Sequence, residues 1–271
     1  MMLTREIIAG EDFAHDSQAL GRSKVAHILP SPAEIAPGRP IFVLLHPFGG
    51  NRMSWLKSAP DLVAKLAQEF IVVLPECGRN WFINDHSGKA YEDYLVGELI
   101  PLLRERYGAA DRACIGGFSM GGASSFFLAL RHPDAFAAAF AVAGAFTAGN
   151  RRGDPYEAFR TDALLIPTEA EHERVWGPPG SAVRATYEPG ALAKRAKGLT
   201  LPKFYFEVGR NDYPRALEAS ETMRALLADA GAAFEFAQYE GDHSWAYAAD
   251  GMTRLIAQFR KGGAPWLNPL A

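Results

Sequence analysis

Ser119 stands at the centre of Gly117-Phe118-Ser119-Met120-Gly121, directly after the apolar run Ala113-Cys114-Ile115-Gly116 and directly before the helix-like stretch from Ala123 to Leu130. Such a run, serine and helix describe an elbow in which the hydroxyl projects from a sharp turn and the flanking glycines spare the turn side-chain collisions. The following helix aims its first amides at the space beside the hydroxyl, where a negatively charged oxygen would form. A serine hydroxyl becomes a competent nucleophile when an imidazole takes its proton, and that imidazole needs an acceptor on its other nitrogen to hold the right tautomer. Both partners occur downstream. Phe204-Tyr205-Phe206-Glu207-Val208 has the composition of a buried strand and runs into the polar turn Gly209-Arg210-Asn211-Asp212, ahead of a helix opened by Pro214. Phe234 to Tyr239 alternates as a strand does, and Gly241-Asp242-His243-Ser244-Trp245 follows it. The expected roles are Ser119 as nucleophile, His243 as base and then acid, and Asp212 as orienting acid. Glu207 is the rival acid, but it falls inside the strand pattern. Taken singly these are a surface serine, a capping aspartate and a loop histidine; order and post-strand placement together favour chemistry.

A further apolar strand, Ile41 to Leu45, ends in His46-Pro47-Phe48-Gly49-Gly50. Stabilising a tetrahedral oxyanion takes two converging backbone donors, one from the residue after the nucleophile and one from such an early loop. The first is Met120. Pro47 has no N–H, so Phe48 is expected to supply the second. His46 is expected to support the loop rather than to transfer protons.

These pieces require a scaffold that carries several strand ends to one place. Arg5 to Ala9 and Lys24 to Leu29 read as early antiparallel strands. Ile41 to Leu45, Phe70 to Leu74, Ala113 to Gly116, Ala137 to Ala143 and Lys203 to Val208 read as strands of a sheet covered on both faces, and Phe234 to Tyr239 completes the set. Between them Tyr91, Leu95, Leu99, Leu102 and Leu103 recur at helical spacing, as do Leu217, Met223, Leu226 and Leu227, then Leu255, Ile256 and Phe259. Strand and helix alternate, so the class is α/β. Residues 146–192 break the alternation with glycines, prolines and mixed charges. A segment this long inside one domain is expected to be a partial cap over the site, with Trp176 as a wall. The alternative is a surface excursion that Trp176 anchors to the core. Trp245, beside His243, and Trp81 are the other expected pocket aromatics, Trp245 having the alternative role of fixing the histidine loop.

The chain has 271 residues, 48% of them hydrophobic, which suits a single domain over residues 1–271. A net charge of -3 without a basic tract argues against a nucleic-acid partner. Zinc spacings, a phosphate loop and a dinucleotide turn are all lacking, and the seven histidines are scattered, so neither metal nor cofactor is expected. No apolar run reaches transmembrane length, and Met1 to Gly10 carries Glu6 without a signal-like apolar core, so a cytoplasmic protein off the membrane is expected. Cys114 is expected in the core. Cys77, after the Phe70 to Leu74 strand, reads as a loop cysteine or a residue of the site rim.

The chain resembles the putative-esterase family of α/β-hydrolases, which includes esterase D, tributyrin and feruloyl esterases and the antigen 85 mycolyltransferases. The resemblance covers nearly the whole chain and rests on the stretches Leu44 to Gly50, Val72 to Pro75, Gly117 to Gly122, Phe206 to Asp212 and Gly241 to Trp245. It implies an α/β-hydrolase fold and hydrolysis of a small-molecule ester or thioester through an acyl-serine, and Ser, Asp, His is that fold's triad order. Pro47 departs from the family, which usually has glycine after the histidine. Acyl transfer to another alcohol, or a non-catalytic binding protein on the same scaffold, are the alternatives. Fold and triad leave the substrate open.

Overall fold

The computed structural model describes residues 10–30, 34–151 and 167–262. Strands β1 (Glu11–Ser17) and β2 (Arg22–Leu29) form a hairpin, and β3 (Ile41–Leu45), β4 (Ile71–Leu74), β5 (Ala113–Phe118), β6 (Phe136–Val142), β7 (Lys203–Gly209) and β8 (Phe234–Tyr239) follow. They join one 8-stranded sheet in the order β1-β2-β4-β3-β5-β6-β7-β8. β2 is antiparallel to both its neighbours, and every pairing from β4 to β8 is parallel. This is the α/β-hydrolase fold. All the strands that precede the site loops therefore end at the same edge.

Side-chain alternation along the strands divides the core into two layers. Ile41, Val43 and Leu45 of β3 face one layer, while Phe42 and Leu44 face the other. The first layer takes the buried faces of α3 (Ile100–Tyr107), α4 (Met120–Arg131) and α8 (Pro214–Ala230). The second takes α1 (Ser54–Ser58), α2 (Pro60–Ala67) and α9 (Trp245–Lys261). Burial on both faces is why the central strands read as continuous apolar runs.

β5 runs on to Phe118 and β7 to Gly209, each longer than the apolar run alone indicates, because the parallel ladder continues to the turn. β1 was not legible: its exposed positions alternate with half-buried ones along a charged edge strand. The expected strand Arg5 to Ala9 lies outside the described residues. Leu102, placed on the buried helical stripe by spacing, is 39% exposed. The helix preceding it, Asp93–Leu99, is wound as a π-helix, which shifts the stripe. The described parts of the 146–192 segment carry α5 (Glu169–Trp176), α6 (Ala182–Tyr187) and the start of α7 (Pro189–Ala196), with Val175, Trp176, Tyr187 and Leu192 buried in the first layer. No helix among the described residues is long and apolar enough to cross a membrane.

Candidate active site

Ser119 caps the N-terminus of α4 one residue after β5, with φ 55° and ψ -113°. That conformation costs on the order of 1–3 kcal/mol in a non-glycine residue and persists where neighbours over-determine it. Here the Ser119 amide donates to the Val142 carbonyl at 3.0 Å, and its own carbonyl accepts from Ala123 at 3.0 Å and Ala145 at 3.1 Å. The elbow glycines serve close approach. A Cβ on Gly117 would lie 2.6 Å from backbone atoms of Gly121 and Leu45, and one on Gly121 would lie 2.4 Å from the Leu45 carbonyl oxygen. α4 is thereby seated against the end of β3, which brings the 46–50 loop alongside its first turn.

The loops after β7 and β8 are pressed together in the same way. A Cβ on Gly209 would meet the Gly241 carbonyl oxygen at 2.3 Å, and the Asn211 amide donates to that carbonyl at 2.9 Å. This contact sets Asp212 beside His243. His243 Nδ1 lies 2.9 Å and 3.0 Å from the two carboxylate oxygens of Asp212, whose side chain is fully buried. Asp212 Oδ1 also accepts the Tyr213 amide at 2.6 Å. A proton on Nδ1 satisfies the carboxylate and leaves Nε2 with its lone pair outward. Phe118, the residue before the serine, packs on the His243 imidazole at 4.7 Å between ring centroids, and Tyr213 packs on it at 5.2 Å. Ser119 and His243 are not hydrogen-bonded to each other in this structure; such contacts often tighten only when substrate is bound. Glu207 is placed elsewhere. It is buried within β7 and takes both hydrogen bonds of the Arg254 guanidinium, at 2.5 and 3.0 Å.

His46 organises the 46–50 loop. Its Nδ1 donates to the Pro47 carbonyl at 2.8 Å, and Nε2 accepts the Cys77 amide at 3.1 Å. Burial pushes its pKa down to about 4, so the ring is neutral and both nitrogens are committed. The Gly50 amide also donates to the Pro47 carbonyl, at 3.0 Å. In a trans peptide the carbonyl and the next N–H point to opposite sides, so fixing the Pro47 oxygen fixes the direction of the Phe48 N–H. The Gly49 amide is used up on the Gly78 carbonyl at 3.1 Å. Among the described residues, the amides of Phe48 and Met120 donate to no protein group.

The aromatic residues divide. Trp176 is completely buried between Trp81, Phe127 and Tyr187, with ring centroids 5.2, 6.4 and 6.3 Å away. The expectation of an open pocket wall is corrected to that extent: Trp176 anchors its segment to the core. Trp81, 4% exposed, lies between Trp176 and Phe48 and braces the 46–50 loop. Trp245 is half-buried, packing on Phe118 at 5.6 Å and on Trp55 at 5.0 Å. Cys77 is buried, and burial pushes its thiol pKa up to about 12. Its amide, through His46, is what serves the loop. Among the described residues no three His, Cys, Asp or Glu side chains are grouped to hold a metal.

Arg79 and Glu171 were not anticipated. Arg79 stacks its guanidinium over the Phe48 ring, 4.1 Å from the centroid, and pairs with Glu171 of α5. Their separation in sequence leaves no local signal for the pairing.

Comparison with known proteins agrees with this architecture. The chain is 26% identical over 209 residues to an acetyl esterase of Caldicellulosiruptor saccharolyticus, spanning 74% of this chain and 76% of that protein. Its fold is similar to that of FphF, a fluorophosphonate-binding serine hydrolase of Staphylococcus aureus, with a TM-score of 0.76 at 19% identity over 92% of this chain and 97% of the other. It is likewise similar to the S-formylglutathione hydrolase FrmB of Staphylococcus aureus, with a TM-score of 0.74 at 19% identity over 92% and 98% of the two chains. Elbow, early loop and both downstream loops fall within residues 17–259, where the family model described as Putative esterase matches, and the chain therefore belongs to the Putative esterase family, on an α/β-hydrolase fold.

Proposed function

We propose that the protein hydrolyses small carboxylic esters through an acyl-serine intermediate on Ser119. The observation that carries this is the buried Asp212 carboxylate on His243 Nδ1, on a loop tied by Phe118 to a serine held in a strained elbow. In the first step Ser119 Oγ attacks the ester carbonyl carbon while His243 Nε2 takes the hydroxyl proton. The carbonyl electron pair moves to oxygen, and the amides of Phe48 and Met120 stabilise the charge. Collapse of the tetrahedral species breaks the bond to the alcohol, which leaves with the proton from His243. Water, deprotonated by the same nitrogen, then attacks the acyl carbon; Ser119 Oγ leaves and regains a proton from His243. Asp212 stays ionised throughout and stabilises the imidazolium.

The acyl group we propose is short, as in the acetyl esterase relative, with the described parts of 146–192 forming a partial cap at the site. Ser119→Ala tests the chemistry: turnover of a nitrophenyl acetate should fall by about 10⁴ or more with the circular dichroism spectrum unchanged. Near-normal turnover by the purified variant would contradict it. A series of nitrophenyl esters of increasing acyl length tests the substrate class, with kcat/KM expected to be highest at acetyl to butyryl.

A further inference from the structure

The amide of Phe48 is held from one side by the hydrogen bonds of Pro47 and Gly49, and from the other by its own side chain. The Arg79 guanidinium lies 4.1 Å from the Phe48 ring centroid, and the Trp81 ring stands 6.2 Å away. Residue 78 accepts the Gly49 amide, so the loop that carries Arg79 also holds the backbone of the residue after Phe48. What fixes this loop is distant in sequence. Glu171 binds Arg79 with both oxygens, one to Nε and the other to Nη2 at 2.7 Å. Glu171 lies in the first turn of α5, whose N-cap Thr168 accepts the Glu171 amide. The other end of that helix is secured by the fully buried Trp176 against Trp81. α5 thus grips the 78–81 loop at two points, one apolar and one ionic.

We propose that Arg79 and Glu171 are positioning residues for the oxyanion hole: the bidentate pair fixes the guanidinium plane over Phe48 and so holds the Phe48 amide on target. This rests on the reading of Phe48 as an oxyanion donor given above. The pair is partly exposed, with side chains 29% and 26% accessible, so as a bare ion pair it adds little to stability. Its value lies in geometry. A planar fork holds a carboxylate and a ring face at once, which an ammonium group does not do. Loss of one oxyanion donor lowers turnover by roughly 10²–10³, and a displacement of about 1 Å can cost about 10².

The test uses the purified enzyme, a nitrophenyl acetate, and a trifluoromethyl ketone inhibitor whose serine adduct carries an oxyanion. Arg79→Met and Glu171→Gln should each lower kcat by roughly 10- to 100-fold with KM within about two-fold. Affinity for the ketone should weaken by the same factor, because both depend on the donor. Arg79→Lys should not restore kcat. The double variant should be no worse than the worse single variant, as expected of groups that act as a unit. If Arg79→Met does not fold, Glu171→Gln, isosteric and partly exposed, carries the test alone. A folded Glu171→Gln enzyme with kcat within about two-fold of wild type would overturn the proposal, as would a raised KM at unchanged kcat or full rescue by Arg79→Lys. A phosphonate adduct on Ser119 whose anionic oxygen does not meet the Phe48 amide would instead strike at the underlying reading, so the two failures are distinguishable.

Discussion

At the scale of single residues, Asp212 and Glu207 divide two jobs that one carboxylate cannot do together. Glu207 is committed to Arg254 inside the sheet, while Asp212 leaves the strand, enters the loop and meets His243 Nδ1. Asp212→Asn should lower turnover by about 10⁴ with the fold intact, because an amide holds the imidazole in the wrong tautomer. Glu207→Gln should keep kcat and lose about 1–3 kcal/mol in urea denaturation, since a partly buried guanidinium loses its charged acceptor. The opposite ranking of the two variants in kcat would move the acid to Glu207. The placement of the two carboxylates was legible in sequence, because the apolar run of β7 ends where its polar exit loop begins. The partner of Glu207 was not, because Arg254 lies on a helix whose register against β7 only packing determines.

At the scale of elements, the loop after β3 shows how a neutral buried histidine does structural work. His46 is held neutral in the folded protein, with its pKa pushed down to about 4 from the ordinary 6.5. The unfolded chain therefore takes up the proton first. Stability is fully present above about pH 6.5 and falls as pH drops toward 4, by up to about 3 kcal/mol from this group. His172, pushed down to about 3 mainly by burial, acts in the same direction. Urea midpoints measured at pH 7, 6 and 5 should fall in that order, and His46→Gln should flatten part of the slope; an equal slope in the variant would contradict it. The same loop makes a geometric prediction. In a structure with a phosphonate on Ser119, the anionic oxygen stands for the tetrahedral oxyanion and should lie roughly 2.7–3.1 Å from the amide nitrogens of both Phe48 and Met120. Gly49 in place of Phe48 would refute the donor assignment.

At the scale of the molecule, the mostly parallel sheet gathers loops from distant parts of the chain at one edge, and this much was legible. β5 with its serine, β7 with Asp212 and β8 with His243 each announced themselves as an apolar or alternating run followed by a polar, glycine-bearing turn. β1 did not, because an edge strand with a polar face has no such run, and the burial of Trp176 did not, because composition does not say which way a ring faces. The Arg79–Glu171 pair was invisible for a related reason: it joins two loop-rich segments that only the completed sheet brings together. At the edge of this sheet the proposed hydrolysis runs through a covalent intermediate. Its most direct measurement is rapid-quench intact-mass spectrometry during turnover of a nitrophenyl acetate, with peptide mapping of the adduct. A transient acetyl adduct is expected on the peptide containing Ser119, formed with a stoichiometric burst of nitrophenolate and missing in Ser119→Ala. Steady turnover with the adduct on another residue, or undiminished turnover in Ser119→Ala, would contradict it.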